Sequence, residues 1–215
     1  MTVADKICAT MGGCALIAAF CSTAAAQPPL VVNCEGPFGR NATRADVIKA
    51  YGADAVDQVL DGPEELKFKA TVLYPKDPKR RLVIIWNDEK ARRRPTIRID
   101  LESAWATPNG VRLGTGLAEI ERLNGKPFRL YGFEWDYGGR TSNWMGGNLG
   151  KPQPGGCNLT LALGFDFDKA PKGMTDKVSG DSEFLSTNPA MRALKPAVYE
   201  ITIGYGKPSE RVAAR

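Results

Sequence analysis

The sequence predicts an α+β protein in which two diverged helix-then-antiparallel-strand repeats form a curved sheet with helices on one face. Two patterns predict this fold class: a short helix that ends at a glycine occurs twice, and stretches of alternating apolar and polar residues follow each helix. The chain has 215 residues, 43% of them hydrophobic and 25% charged, with a net charge of +5. This apolar content is enough to build a core, which excludes disorder as the main state.

The two predicted helices have similar boundaries. Thr43 is a favourable N-cap for the first helix, and Gly52 ends it. The second helix begins at Thr115 and ends at Gly125. Repeat-like halves are therefore expected at about 40–101 and 110–168. The alternative is a single α+β domain whose two helices are alike by chance.

Alternating or continuously apolar stretches predict the strands. After the first helix they cover 66–74, 82–86 and 96–101; after the second they cover 128–137, 140–144 and 157–168; a closing strand covers 197–205. Residues 27–205 are expected to form one domain, and 206–215 a flexible tail.

The N-terminal segment 1–26 has the pattern of a signal peptide. Lys6 precedes a short apolar run, and Ala24 and Ala26 fit the small-residue rule for cleavage after Ala26. The apolar run is too short to span a bilayer. We therefore expect a periplasmic or secreted protein without a transmembrane segment after signal removal. An uncleaved anchor is the alternative.

Cysteine and histidine counts limit the chemistry. Cleavage after Ala26 leaves only Cys34 and Cys157, which predict one disulfide in an oxidising compartment. Two buried free thiols are the alternative. The chain has no histidine, which excludes His-based triads, His proton shuttles and His metal ligands.

The capped helix Thr43–Gly52, and again Thr115–Gly125 followed by Lys126-Pro127, is similar to the signature of the outer-membrane-assembly lipoproteins and the tandem-repeat beta-lactamase inhibitor proteins. That resemblance implies a curved antiparallel sheet and a protein-binding role. The chain departs from the lipoproteins because it has no evident lipidation cysteine. It departs from the inhibitors because it can form one disulfide, not one per repeat. The stretch 124–139 also resembles an uncharacterised family of exported bacterial proteins, which implies no known activity.

The densest candidate binding residues lie in the predicted strand 128–137. Alternation places Tyr131, Phe133, Trp135 and Tyr137 on one face of that strand. Large, rigid side chains with polar tips suit a recognition surface. The alternative is that this face is core, covered by the helices.

Four carboxylates raise the possibility of an enzyme. Glu134 with Asp136, and Asp166 with Asp168, form two i, i+2 pairs on predicted strands. If they converge, they suit a periplasmic hydrolase acting on glycan or peptide, or a calcium site. The alternative is a solvated polar face. No P-loop, dinucleotide fingerprint or nucleophile elbow is present.

Basic residues cluster on both sides of the strand 82–86, at 76–81 and at 90–94. Arg80, Arg81 and Arg93 are the candidates for binding an anionic partner, such as a surface polymer or lipid head groups. The alternative is basic loops that keep the protein in solution.

Together these patterns predict an exported, non-enzymatic binding or accessory protein of the bacterial envelope. The expected partner is another envelope protein or an anionic surface polymer, and no cofactor, metal or nucleic acid is expected. The carboxylate-based hydrolase is one alternative, and a purely structural envelope protein is another.

Overall fold

A computed structural model describes residues 30–62, 66–88 and 93–206. The predicted signal peptide and residues 207–215 of the predicted tail lie outside these ranges. The described residues form an α+β fold, which confirms the predicted class. Its helices are α1 (Arg44–Tyr51), α2 (Leu117–Asn124) and α3 (Pro189–Leu194). Its strands are β1 (Ala55–Asp61), β2 (Lys67–Leu73), β3 (Leu82–Asp88), β4 (Arg93–Ile99), β5 (Arg129–Tyr131), β6 (Thr141–Asn143), β7 (Asn158–Gly164), β8 (Glu183–Leu185) and β9 (Ala197–Gly204).

Two antiparallel sheets organise the chain. The larger, curved sheet has the order β1-β2-β3-β4-β9-β7, and the smaller has the order β6-β5-β8. The strands after α1 form a meander within the larger sheet, whereas those after α2 are divided between both sheets. Nothing in this arrangement tests the predicted division into repeat-like halves.

Both sequence-predicted helices are present, although α2 begins at Leu117 rather than at Thr115, and capping explains the start of α1 and the end of α2. Thr43 and Asp46 form a reciprocal capping box, in which the Thr43 side chain accepts from the Asp46 N–H and Asp46 accepts from the Thr43 N–H. Gly125 follows α2 with a φ of 72°, and its N–H donates to carbonyls of the last turn. Glycine reaches this left-handed conformation at little cost.

The main core lies on one face of the larger sheet. Ile84, Ile97 and Ile203 occupy paired positions on β3, β4 and β9 and are almost fully buried. All three helices add buried side chains to this cluster, including Val47, Ile120 and Met191. The helices therefore cover this face. The opposite face carries a second, smaller cluster of Ala70, Val72 and Val83.

The predicted disulfide between Cys34 and Cys157 is present, with a Cα–Cα distance of 6.0 Å. It joins the N-terminal segment to the residue that precedes β7. The Tyr205 hydroxyl donates to the carbonyls of Cys34 (3.0 Å) and Phe38 (2.7 Å) on the same side of the molecule. The disulfide and these two hydrogen bonds thus hold the N-terminal segment against β7 and the end of β9.

Three strand predictions need correction. Strand β1 was not predicted, because its sequence AVDQVLD places apolar and polar residues in pairs rather than in alternation. The predicted strand 128–137 ends at Tyr131, and the predicted strand 157–168 ends at Gly164. The described residues include no helix of the length and apolar character that crossing a bilayer requires.

Candidate functional site

The segment after β5 is a tight loop rather than a strand, so the prediction of one shared aromatic face was wrong. Gly132 lies against backbone: a Cβ there would be 2.5 Å from the Gly180 carbonyl oxygen. Glu134 has a φ of 67°. The positive φ of Glu134 breaks the extended conformation that period-2 alternation requires, and the tight contact at Gly132 shows that another chain segment packs against this loop.

Three chain segments meet at Phe133. Its N–H donates to the Val178 carbonyl (2.9 Å), and its carbonyl accepts from the Gly180 N–H (3.0 Å). Its ring packs edge-on against Phe165, with centroids 4.7 Å apart, and Phe165 in turn contacts Phe167. Residues 132–139, 165–169 and 175–183 are therefore neighbours, and we call their exposed part the Trp135 surface.

The four aromatic candidates divide between core and surface. Phe133 is 4% exposed and belongs to the main core, whereas Trp135 is 64% exposed. Tyr131 and Tyr137 contact each other, with ring centroids 5.8 Å apart. The core alternative therefore holds for Phe133, whereas an interface role for the exposed Trp135 stays a prediction.

Trp135 lies beside a glycine backbone. A Cβ placed on Gly180, whose φ is +99°, would be 3.7 Å from the indole nitrogen. The Trp135 carbonyl accepts from the Gly138 N–H at 2.7 Å, which closes the loop behind it. Because the backbone of this loop is fixed by hydrogen bonds, it needs little further ordering when a partner binds the exposed ring.

The four candidate carboxylates lie on two neighbouring segments, 132–139 and 165–169, and Glu134 and Asp166 each have a partner within the chain. Asp166 and Asp168 lie beyond the end of β7, so their assignment to a strand was wrong. Asp166 accepts from the Asp168 N–H (3.1 Å) and pairs with Lys169 (2.6 Å). Glu134 accepts from the Ser179 hydroxyl. Among the described residues, no three acidic or cysteine side chains lie close enough together to hold a metal ion.

Electrostatics at Asp166 oppose a role as general acid. The hydrogen bond from Lys169 lowers the pKa of the Asp166 carboxyl, and burial offsets this only in part. A general acid at neutral pH requires a carboxyl pKa raised toward 7. Asp166 is therefore an ionised N-cap of the short turn 167–169.

The candidate arginines that the structure describes have contacts within the chain. The Arg81 guanidinium pairs with Asp100, and both side chains are largely buried. The Arg80 guanidinium lies 3.6 Å from the centroid of the Tyr74 ring. The side chain of Arg93 lies outside the described residues. Whether these arginines bind a partner stays a prediction.

A concave part of the surface lies beside β6. It is a depression of about 280 Å³ lined by Thr141, Ser142, Asn143, Trp144, Gly146, Gly147, Gly150, Lys151 and Leu159. Its one aromatic side chain, Trp144, is buried, and the indole N–H donates to the Leu159 carbonyl at 3.2 Å. This ring therefore serves the fold, in contrast to that of Trp135.

Sequence reasoning missed the segment 175–183 and misplaced Phe167. Phe167 is 56% exposed and extends the aromatic contact that begins at Phe133. The clue was available in residues 165–168, where two phenylalanines alternate with two aspartates just after an apolar strand. No comparable local pattern in the sequence indicates the contact between Phe133 and segment 175–183.

No family model matches the chain, and neither the curated proteins nor the solved structures contain a match. The resemblance to the outer-membrane-assembly lipoproteins and beta-lactamase inhibitor proteins therefore stays a prediction. Function must be argued from the site alone.

Proposed function

We propose that this chain is an exported, non-enzymatic binding protein of the bacterial envelope, which recognises another envelope protein through the Trp135 surface. The observation that carries the proposal is Trp135 itself, a large indole that is 64% exposed on a loop fixed by backbone hydrogen bonds. Exposed, rigid aromatic side chains supply much of the energy of protein recognition.

Export is supported by the disulfide and by the N-terminal pattern. The bond between Cys34 and Cys157 is the kind of cross-link that persists in oxidising compartments. Residues 1–26 carry the features of a signal peptide. The two observations are independent, because the first concerns the folded domain and the second a segment that cleavage removes.

A binding role is favoured over a hydrolase by the state of the carboxylates. Asp166 pairs with Lys169, which lowers the pKa of its carboxyl. Glu134 accepts a hydrogen bond from Ser179. Neither arrangement provides the matched acid and base that carboxylate-based hydrolysis needs.

A protein partner is favoured over an anionic polymer by the contacts of the basic side chains. Arg81 and Arg98 both pair with Asp100, and Lys79 pairs with Glu102. Carboxylates of the chain thus already neutralise part of the basic cluster at 76–81. On the Trp135 surface, by contrast, the exposed Trp135 ring has no stacking or cation–π partner among the residues that the structure describes.

The test is affinity capture from a gentle envelope extract, with the disulfide-bonded protein as bait. Trp135→Ala is the test variant, and Val59→Ala is the matched control, because Val59 is 60% exposed on β1. We expect one partner to be held by the wild type and the control and lost by Trp135→Ala, with the melting temperature unchanged. Equal capture by all three baits would contradict the proposal, and turnover of glycan or peptide substrates would favour the hydrolase.

A further inference from the structure

We propose that the Trp135 surface takes a cationic polypeptide segment, that is, an exposed stretch of a partner protein that carries arginine or lysine side chains. This inference rests on the proposed function and adds the chemistry of the partner. It combines the exposed indole with the distribution of charge around it.

Charge on the Trp135 surface is opposite in sign to that of the whole chain. Its three segments carry two lysines, Lys169 and Lys177, and seven carboxylates, a net charge of −5, although the whole chain carries +5. All seven carboxylates are exposed; they are Glu134, Asp136, Asp166, Asp168, Asp176, Asp181 and Glu183. Acidic residues are thus concentrated around the aromatic side chains of an otherwise basic protein.

Local charge decides what such a surface attracts. At physiological ionic strength, interactions between exposed charges fade beyond a Debye length of about 8 Å. A segment that lies on the Trp135 surface is therefore influenced mainly by the charged side chains of that surface, most of which are carboxylates. Charge complementarity of this kind speeds association and rejects partners of the wrong sign.

The indole adds a second reason for a cation. A positively charged side chain over an aromatic face is stabilised by the ring quadrupole, and tryptophan is the best of the aromatic acceptors. Glu134 and Asp136 directly flank Trp135 in the chain, so a guanidinium stacked on its ring has carboxylates nearby. The same protein already pairs Arg80 with the Tyr74 ring and Arg40 with the Tyr205 ring.

The experiment is fluorescence anisotropy with three labelled nine-residue peptides, in which glycine alternates with arginine, serine or glutamate. We expect the wild type to bind the arginine peptide more tightly than the serine peptide, and to bind the glutamate peptide least. Trp135→Ala should weaken binding of the arginine peptide about 2- to 5-fold, the equivalent of an exposed cation–π contact. Asp136→Asn should weaken it by a similar factor, whereas Asp54→Asn, an exposed carboxylate on another part of the fold, should leave it unchanged.

The results separate this inference from the proposed function. If the arginine peptide binds no better than the serine peptide, or if Trp135→Ala and Asp136→Asn bind it as the wild type does, the cationic partner is wrong. In that case the function still stands if the captured envelope protein depends on Trp135. If capture does not depend on Trp135, the proposed function fails whatever the peptides do. Competition of the captured partner by the arginine peptide alone would support both.

Discussion

Removing the disulfide offers the sharpest test of how the fold is stabilised. Replacing both Cys34 and Cys157 by alanine removes the bond and leaves no unpaired thiol in the domain. The two residues are 123 positions apart, and the bond joins the N-terminal segment to the start of β7.

The magnitude follows from the size of the closed loop. In the chain-entropy treatment, a cross-link that closes a loop of this length stabilises the folded state by about 5 kcal/mol, because it restricts the unfolded chain. Contacts beside the bond should keep the native geometry without it: Tyr205 donates to the Cys34 carbonyl, and the Gln153 N–H donates to the Cys157 carbonyl at 2.7 Å. The free energy of unfolding of a domain is typically about 5–15 kcal/mol, so losing the disulfide should remove a large part of it.

The assay is urea unfolding of the oxidised wild type, the reduced wild type and the double alanine variant. We expect the last two to share a lower midpoint than the oxidised protein. The free energy of unfolding of these two should also fall more steeply with urea concentration, since an unfolded chain without the cross-link exposes more surface. A loss of less than about 1 kcal/mol in the free energy of unfolding, with an unchanged dependence on urea concentration, would contradict this prediction, because the bond would then constrain the unfolded chain very little.

Three further predictions concern the backbone, a buried tyrosine and a helix cap. At Gly139, where φ is +69°, an added Cβ would be 1.9 Å from a backbone carbonyl oxygen of β7. Gly139→Ala should therefore lower the free energy of unfolding by about 3 kcal/mol or more, as measured by chemical denaturation. Gly156 has a φ of +80° but open space around it, so Gly156→Ala should lower that free energy by only about 1–2 kcal/mol. Burial raises the pKa of Tyr205 to about 12, so the folded state favours the protonated phenol. This stabilisation is present below about pH 10, and at most about 1.4 kcal/mol of it should be lost by pH 11, because solvent screens part of the effect. Stability measured from pH 8 to 11 should fall less steeply in Tyr205→Phe, and equal slopes would contradict the assignment. Thr43→Ala removes the two hydrogen bonds that the Thr43 hydroxyl makes with Asp46 and should lower the free energy of unfolding by about 1 kcal/mol. Thr43→Ser should restore most of this loss, and an alanine variant as stable as the wild type would show that the hydroxyl cap is dispensable.

The features that the sequence predicted well are those with local causes. The capped helices follow from Thr43 and from Gly52 and Gly125, each of which acts within one helical turn. Strands β3 and β9 follow from runs of β-branched and aromatic residues. The disulfide follows from a count, because only two cysteines remain after residue 26.

The candidate site was predicted in its residue types but not in its geometry. Alternation from 128 to 137 indicated a strand, but the strand ends at Tyr131 and the positive φ of Glu134 marks a loop. Segment 175–183, which supplies the neighbour of Trp135, is more than forty positions away in the chain. Contacts between residues so far apart in the chain depend on tertiary packing, which the local alternation of apolar and polar residues does not predict.

The position of β9 has a consequence for the order in which the molecule can be assembled. This last strand lies between β4 and β7, so a chain that leaves the ribosome or a translocation channel N-terminus first keeps two unpaired strand edges until β9 follows. Until then, neither neighbour has its native partner on that side, and the nascent sheet is a template for erroneous pairing with other chains. A chaperone that shields those edges would therefore matter most in the interval between the emergence of β7 and that of Gly204.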